Sequence, residues 1–217
     1  MQINRIFGVA TFALMAAAVQ PVSGATLIDD FSQPIPAVNV FIGPASNPQE
    51  VVTALGGGTS RTARFEVLSG LGFQSLVGGV GDGTFAAGFN ALSTGLVRLT
   101  YTFGSSLDLS GEALLAIVSA TQNSVPLGIV IQTSLGDLSL ANNLAPSAGF
   151  ASNNYLLANF TGTGNLAQVT GLVITATGAS GSNFLLDSIS ATPTPEPGTA
   201  LLLVLPALAL IRLRKKS

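Results

Sequence analysis

The chain has 217 residues, of which 8% are charged, and it contains no Cys and no His. Their absence excludes disulfides, Cys nucleophiles, thiolate or imidazole metal sites and the Ser-His-Asp triad. Between residues 26 and 192, three Arg stand against nine Asp and Glu, a net charge of about −6. Because nucleic-acid binding rests on phosphate neutralisation by Lys and Arg, a nucleic-acid partner is not expected.

The first 25 residues have the pattern of a secretory signal peptide. Met1–Arg5 is weakly basic, Ile6–Val19 is apolar, and Ser23-Gly24-Ala25 supplies small residues for cleavage between Ala25 and Thr26. An N-terminal membrane anchor is the alternative, and the position of the small residues favours cleavage. We expect the secretion translocon and signal peptidase as partners, and residues 26–192 as one exported domain.

The exported domain is predicted to be all-β. In Leu96–Phe103 the residues Val97, Leu99, Tyr101 and Phe103 alternate with polar ones, which indicates a half-buried strand. The runs Leu127–Thr133 and Gly171–Thr177 are β-branched and bounded by turn residues. Weaker candidates are Leu27–Phe31, Ala37–Ile42, Ala63–Leu68, Phe85–Phe89, Ala113–Ser119, Tyr155–Phe160 and Phe184–Ala191.

Glycine-rich segments separate these runs and predict turns: Gly56-Gly57-Gly58, Gly78-Gly79, Gly81-Asp82-Gly83 and Gly178–Gly181. The stretch Gly78–Gly83 is similar to a phosphate-binding loop but lacks its Lys-Ser/Thr continuation, so a turn is favoured. About ten short strands with such spacing predict an antiparallel two-sheet sandwich of the jelly-roll kind.

The two ends of the domain carry a resemblance. The segments Leu27–Ser32 and Phe184–Ile189 resemble the strands that bracket jelly-roll modules of bacterial surface proteins, including carbohydrate-binding-like ones. Gly104–Gly111 is similar to a loop in the middle of such modules. The resemblance implies adjacent first and last strands, with Asp29 and Asp30 near Asp187.

Two ligand sites follow as hypotheses. Asp29, Asp30 and Asp187 could give oxygen ligands to a structural calcium ion, the one candidate cofactor, although strand-end or solvent-facing Asp is the favoured alternative. Sugar-binding faces usually present aromatic rings, and the chain has no Trp and only two Tyr. Tyr101 alternates in phase with the core, which leaves Tyr155, beside Asn153 and Asn154, as the exposed candidate.

No residue set predicts catalysis. Glu50, Glu66 and Glu112 do not form the recognisable carboxylate pair of a glycosidase, so we expect no catalytic residues and no enzyme activity. The pattern Asn159-Phe160-Thr161 fits N-glycosylation but is taken as accidental.

The C-terminus has three parts: Pro195-Glu196-Pro197, an apolar run Thr199–Ile211, and the basic residues Arg212, Arg214, Lys215 and Lys216. As a helix the run would span roughly 20 Å, against about 30 Å for the hydrocarbon core of a bilayer. Pro206 weakens that helix further. The basic cluster favours the cytoplasmic side, which places the preceding domain outside. A permanent C-terminal anchor remains the alternative.

Residues 193–217 resemble the PEP-CTERM sorting signal of Gram-negative bacteria that make exopolysaccharide, with Thr194 where Val is frequent. The resemblance implies an exosortase, a membrane-embedded transpeptidase, as partner. The protein would be held transiently in the inner membrane and then reach the cell surface or extracellular matrix. The function expected is a structural or adhesive role in the exopolysaccharide or biofilm; the alternative is a non-catalytic carbohydrate-binding module, and a glycoside-active enzyme is the least favoured possibility.

Overall fold

The computed structural model describes residues 24–40, 48–70, 76–81, 83–89, 93–178 and 181–193. Residues 1–23 of the predicted signal peptide, the motif 195–197, the apolar run and the basic cluster lie outside these ranges. Within them, no helix is both long enough and apolar enough to cross a membrane.

The described residues form fourteen strands and two short 3-10 turns, Leu157–Asn159 and Leu166–Gln168. The strands are β1 Thr26–Asp29, β2 Ile35–Val40, β3 Gln49–Gly56, β4 Thr59–Gly70, β5 Leu76–Gly81, β6 Thr84–Phe89, β7 Ser93–Leu107, β8 Glu112–Thr121, β9 Val125–Thr133, β10 Gly136–Leu144, β11 Ala151–Leu156, β12 Thr161–Gly162, β13 Val169–Gly178 and β14 Asn183–Pro193.

The strands form two seven-stranded antiparallel sheets. Sheet A has the order β11-β8-β14-β6-β5-β2, and β1 pairs with β14 beside β6. Sheet B has the order β12-β10-β9-β13-β7-β4-β3. The predicted fold class, an antiparallel two-sheet sandwich of the jelly-roll kind, is confirmed.

Period-two alternation places the core between the sheets. On β7 the residues Val97, Leu99 and Tyr101 are buried, whereas Arg98 and Thr102 are exposed. An aromatic cluster joins the sheets, because the Phe85 ring centroid lies 5.8 to 6.0 Å from those of Phe31, Phe65 and Phe184. Such tilted and offset rings combine large apolar burial with favourable ring geometry.

The three clearest strand predictions are confirmed as parts of β7, β9 and β13. The weaker candidates overlap β1, β2, β4, β6, β8, β11 and β14, with Phe41 and Ile42 outside the described residues. Tyr155–Phe160 is wrong beyond Leu156, since a 3-10 turn at Leu157–Asn159 ends the extended chain. The strands β3, β10 and β12 and the glycine-rich β5 were not predicted.

Two of the predicted turns are confirmed as hairpin connections. Gly57 and Gly58 join β3 to β4 with φ of 58° and 78°, the left-handed conformation that glycine adopts at little cost. Gly81 pairs with Thr84, which places the β5–β6 link at residues 82–83, and Asp82 is outside the described residues.

Two loop predictions are wrong. Gly78-Gly79 lies inside β5, where a Cβ on Gly79 would be only 3.1 Å from the carbonyl oxygen of Ile35, so glycine serves close strand packing there. The first half of Gly104–Gly111 continues β7 to Leu107, leaving Asp108–Gly111 as the turn.

Candidate functional site

Asp29 lies in the core, not on the surface. Its Oδ2 accepts hydrogen bonds from Arg61 Nη1 at 2.5 Å and from the Tyr101 hydroxyl at 2.8 Å, and its Oδ1 accepts from the Phe31 amide at 2.8 Å. Asp29 is 5% exposed and Arg61 and Tyr101 are fully buried. Because Asp29 is on β1 and its partners are on β4 and β7, this buried cluster connects sheet A to sheet B.

Arg61 also fixes the chain that follows β1. Its Nη2 donates to the Gln33 carbonyl oxygen at 2.6 Å, and its guanidinium carbon lies 5.1 Å from the Phe31 ring centroid. Phe31 has φ of 52°, which is costly for a residue with a side chain. The sequence did carry a signal for this cluster, because Arg61 alternates in phase with Ala63, Phe65 and Val67 and therefore has to face the core.

The three Asp residues predicted to bind calcium do not come together as a metal site. Strands β1 and β14 are adjacent, as the resemblance implied, and Asp29 is opposite Ile189. Both oxygens of Asp29 are occupied by protein donors, and exposed Asp30 accepts from Ser32, whose hydrogen bonds lower the pKa of Asp30. Across the described ranges no group of three or more Asp or Glu could hold a metal ion.

The prediction that Tyr155 is exposed is wrong. Tyr155 is 5% exposed and lies opposite the fully buried Leu115. The alternation of β11 therefore points its side chain into the core, although its neighbours Asn153 and Asn154 are polar. Its hydroxyl has no hydrogen-bond partner among the described residues, and burial raises its pKa to about 12. Tyr101 is buried, as predicted.

The outer faces of the two sheets differ in chemistry. The outward residues of β8 are small or apolar, among them Leu114, Val118 and Ala120, and the neighbouring strands add Leu185 and the polar residues Ser152, Asn154, Ser188 and Ser190. On sheet B, outward positions carry hydroxyl, amide and charged groups, and these are Thr62, Arg64, Arg98, Thr100, Thr102, Ser139, Asn143, Thr175 and Thr177. The apolar residues Leu96, Val130 and Val173 also face outward there.

A groove lies on the outer face of sheet B, over β9. It is lined by Pro126, Leu127, Gly128, Ala141, Asn142, Asn143, Thr175 and Thr177. Gly128 lies in register between Ala141 on β10 and Thr175 on β13. The floor of the groove therefore has no side chain at Gly128 and only a methyl group at Ala141. We call this the Gly128 groove.

Arg98 borders the Gly128 groove as a free cation. It is exposed, it stands opposite Thr175, and it makes no ion pair or hydrogen bond with the described residues. Its other neighbour, Arg64, is occupied: it bonds to Glu66 at 2.9 Å and Glu50 at 3.1 Å, and these bonds raise the pKa of Arg64. The row from the groove to the sheet edge thus contains one unpaired positive charge.

A second groove lies on the outer face of sheet A. Its lining is Ala86, Ala87, Gly88, Ala120, Thr121, Gln122, Ser147, Ala148, Asn183 and Leu185. Its floor is largely alanine, and its four polar side chains, Thr121, Gln122, Ser147 and Asn183, equal in number those of the Gly128 groove.

No protein family model and no curated protein sequence matches this chain. Among solved structures, the family 11 carbohydrate-binding module of the cellulase Lic26A-Cel5E of Clostridium thermocellum is 14% identical, over 79% of this chain and 95% of that one, with a TM-score of 0.45. A family 29 carbohydrate-binding module is 13% identical, over 71% of this chain and 86% of that one, with a TM-score of 0.38. PfGH50B is 14% identical over 61% of this chain, corresponds to it over only 22% of its own length, and has a TM-score of 0.44. Likeness at this level says nothing about a shared ligand.

The buried cluster generates a stability prediction. Asp29→Asn leaves the Arg61 charge buried without its counter-ion, so we expect the free energy of unfolding to fall by about 3–5 kcal/mol. Denaturant unfolding measures this. The double variant Asp29→Leu/Arg61→Met should recover much of the loss. Tyr101→Phe, which removes one hydrogen bond to the Asp29 carboxylate, should cost less than Asp29→Asn, about 1.5–3 kcal/mol. A loss below about 1 kcal/mol for Asp29→Asn would contradict the role assigned to the cluster.

The two tyrosines generate a prediction at alkaline pH. Burial, with the charge of Asp29 as a further cause, raises the pKa of Tyr101 well above 10.0, and burial raises that of Tyr155 to about 12. The unfolded chain therefore loses phenol protons first, and the stability present below pH 10 is lost as the pH rises further. Ultraviolet titration of the folded protein should show no phenolate at pH 10, whereas the chain in denaturant should be half ionised. A normal titration of either tyrosine in the folded protein would refute this.

Proposed function

We propose that this protein is an exported, non-catalytic polysaccharide-binding β-sandwich whose ligand lies in the Gly128 groove and along the outer face of sheet B. The observation that carries the proposal is the groove itself: a low floor at Gly128 and Ala141, bordered by the side chains of Thr175, Thr177 and Asn143. Of the two roles considered from the sequence, the carbohydrate-binding alternative is therefore preferred to a purely structural one.

The chemistry of the face suits a polyhydroxylated chain. Hydroxyl and amide side chains both donate and accept hydrogen bonds, as sugar hydroxyls do. The in-register row Ala141, Gly128, Thr175, Arg98, Arg64 and Glu50 crosses six strands. At about 4.8 Å per strand the row is about 24 Å long, which suits an oligosaccharide segment and not a single sugar.

No aromatic residue lines the Gly128 groove, and this determines the mode of binding. The outer face of sheet B presents Thr, Asn and Arg side chains, and Tyr101 on β7 points into the core. Hydrogen bonds to solvated groups yield little net free energy each, so one domain would bind weakly. Many copies on a repeating polymer would bind firmly through effective concentration, which suits a surface or matrix protein.

The geometry of the described acidic residues favours binding without hydrolysis. Glu50 and Glu66, the carboxylates on the outer face of sheet B near Arg98, both accept hydrogen bonds from Arg64. A glycosidase needs one carboxyl group that stays protonated and a second that is free to attack or to activate water. Both carboxylates are engaged by one guanidinium group, and no acidic residue lines the Gly128 groove.

Export and sorting belong to the same proposal. The predicted signal peptide would direct secretion, and the tail at residues 193–217 would present Pro195-Glu196-Pro197 to an exosortase while Thr199–Ile211 lies in the inner membrane. The domain would then be released to the surface or matrix, where its polysaccharide ligand is. A structural or adhesive role in the exopolysaccharide follows from binding.

Filling the Gly128 groove tests the ligand site. A Cβ on Gly128 would have nothing closer than 3.9 Å, so Gly128→Leu should fold normally and occupy the groove. We expect its affinity for extracellular polysaccharide purified from the producing cells to fall about tenfold or more, measured by affinity electrophoresis or calorimetry. The matched control is Ala86→Leu, which fills the groove on sheet A and should bind normally.

The outcomes separate the two faces. Loss of binding in Ala86→Leu but not in Gly128→Leu would move the site to sheet A. Unchanged binding in both variants, or no binding by the native protein, would refute the proposed function.

Intact-mass analysis of surface and secreted material tests the sorting. We expect a chain that begins at Thr26 and ends near Pro195-Glu196-Pro197, because signal peptidase and the exosortase would each have removed one terminal segment. Mature protein that retains Ser217 throughout would instead indicate a permanent anchor.

A further inference from the structure

One carboxylate oxygen at the start of the domain lacks a partner. Glu112 Oε1 accepts a hydrogen bond from Thr26 Oγ1 at 3.0 Å. Glu112 Oε2 is buried and has no hydrogen-bond partner among the described residues. Native proteins rarely leave a buried polar atom unsatisfied, so this oxygen points to a missing donor.

The strand register shows which group is nearest. Thr26 is opposite Ala191 and Glu112 is opposite Pro193, on the two sides of β14. Opposed residues of antiparallel strands share a face, so both side chains lie on the same face as Ala191, at the end of the sandwich. The main-chain nitrogen of Thr26 is three bonds from its Oγ1, hence about 3–4 Å away, within reach of the same carboxylate.

The peptide bond before Thr26 lies at a structural boundary. Gly24 and Ala25 are exposed and belong to no strand, whereas Thr26 is half-buried and begins β1. The signal-peptide pattern independently predicts cleavage between Ala25 and Thr26. Cleavage at this boundary would leave every residue of β1 in place.

We propose that Glu112 is the acceptor site for the α-ammonium group that cleavage creates on Thr26. Hydrolysis of the Ala25–Thr26 bond consumes one water molecule: its oxygen goes to the Ala25 carboxylate, and the Thr26 nitrogen becomes an ammonium at neutral pH. That nitrogen changes from a neutral amide with one donor to a cation with three. Glu112 Oε2 then gains a charged donor, and the ion pair fastens β1 across the end of β14.

The proposal couples maturation to stability and is independent of polysaccharide binding. The precursor keeps an unsatisfied buried oxygen, and the mature chain does not. Removal of the leader therefore strengthens the attachment of β1, the strand that also contributes Asp29 to the buried cluster. A precursor that is less stable than its product suits a chain that has to cross a membrane unfolded.

The test compares two N-termini of the otherwise complete chain. One protein is exported with its own leader, and the other with a leader altered so that the mature chain starts at Ala25; intact mass identifies each start. The additional residue displaces the ammonium group by about 3.5 Å. We expect Glu112→Gln to lower the melting temperature by about 3 °C in the Thr26 form and by less than about 1 °C in the Ala25 form. Asp137→Asn, which removes an exposed carboxylate on β10 of the other sheet, controls for the lost charge and should act equally in both.

Several results would overturn the proposal. Equal losses in the two forms would mean that Glu112 acts only through Thr26 Oγ1. Native mature protein that starts elsewhere than Thr26 would remove the ammonium group from the site. If the Glu112→Gln variant does not accumulate, the melting temperatures of the two forms with Glu112 intact are compared instead. The proposal requires the Thr26 form to melt at a higher temperature than the Ala25 form.

Discussion

The buried pair between Arg61 and Asp29 is the constraint on which the arrangement of this sandwich depends. The buried charge of Arg61 needs an opposite charge beside it. Strand β1 must therefore hold Asp29 at one fixed position facing β4 and β7. The same guanidinium holds the Gln33 carbonyl and lies over Phe31, which places that ring in the aromatic cluster with Phe85. A domain without disulfides thus obtains from one Arg a specific link between its two sheets.

The two sheets carry different residues on their outer faces, and we propose different functions for them on that ground. Sheet A contains the N-terminal and C-terminal strands, and the outward residues of β8 are small or apolar. Sheet B is formed by strands internal to the chain and presents Thr, Asn and Arg outward. The proposed binding on sheet B and the proposed processing beside β1 on sheet A therefore involve separate parts of the molecule and can be tested separately.

Sequence periodicity was sufficient for strands whose two faces differ sharply. Val97, Leu99 and Tyr101 on β7 alternate with polar residues, and that strand was predicted. Periodicity failed for β10, which lies next to the edge of sheet B and has mostly exposed residues, and for β5, whose glycines suggested a turn. The site was harder to predict. Tyr155 was misplaced because its neighbours Asn153 and Asn154 were weighed above its phase, and the Gly128 groove exists only through the register of β10, β9 and β13, which no local pattern encodes.

The pairing of β1 with β14 has a kinetic consequence. Thr26 is opposite Ala191, so sheet A is completed by residues from the two ends of the domain. Closing so long a loop costs chain entropy before any contact compensates for it, and such non-local pairing is slow. In the export that we propose, β1 would emerge first and would have to wait for β14, so its edge would stay open to proteases and chaperones until the whole domain had crossed. The time spent in that half-folded state, and not the final stability alone, would set the yield of exported protein.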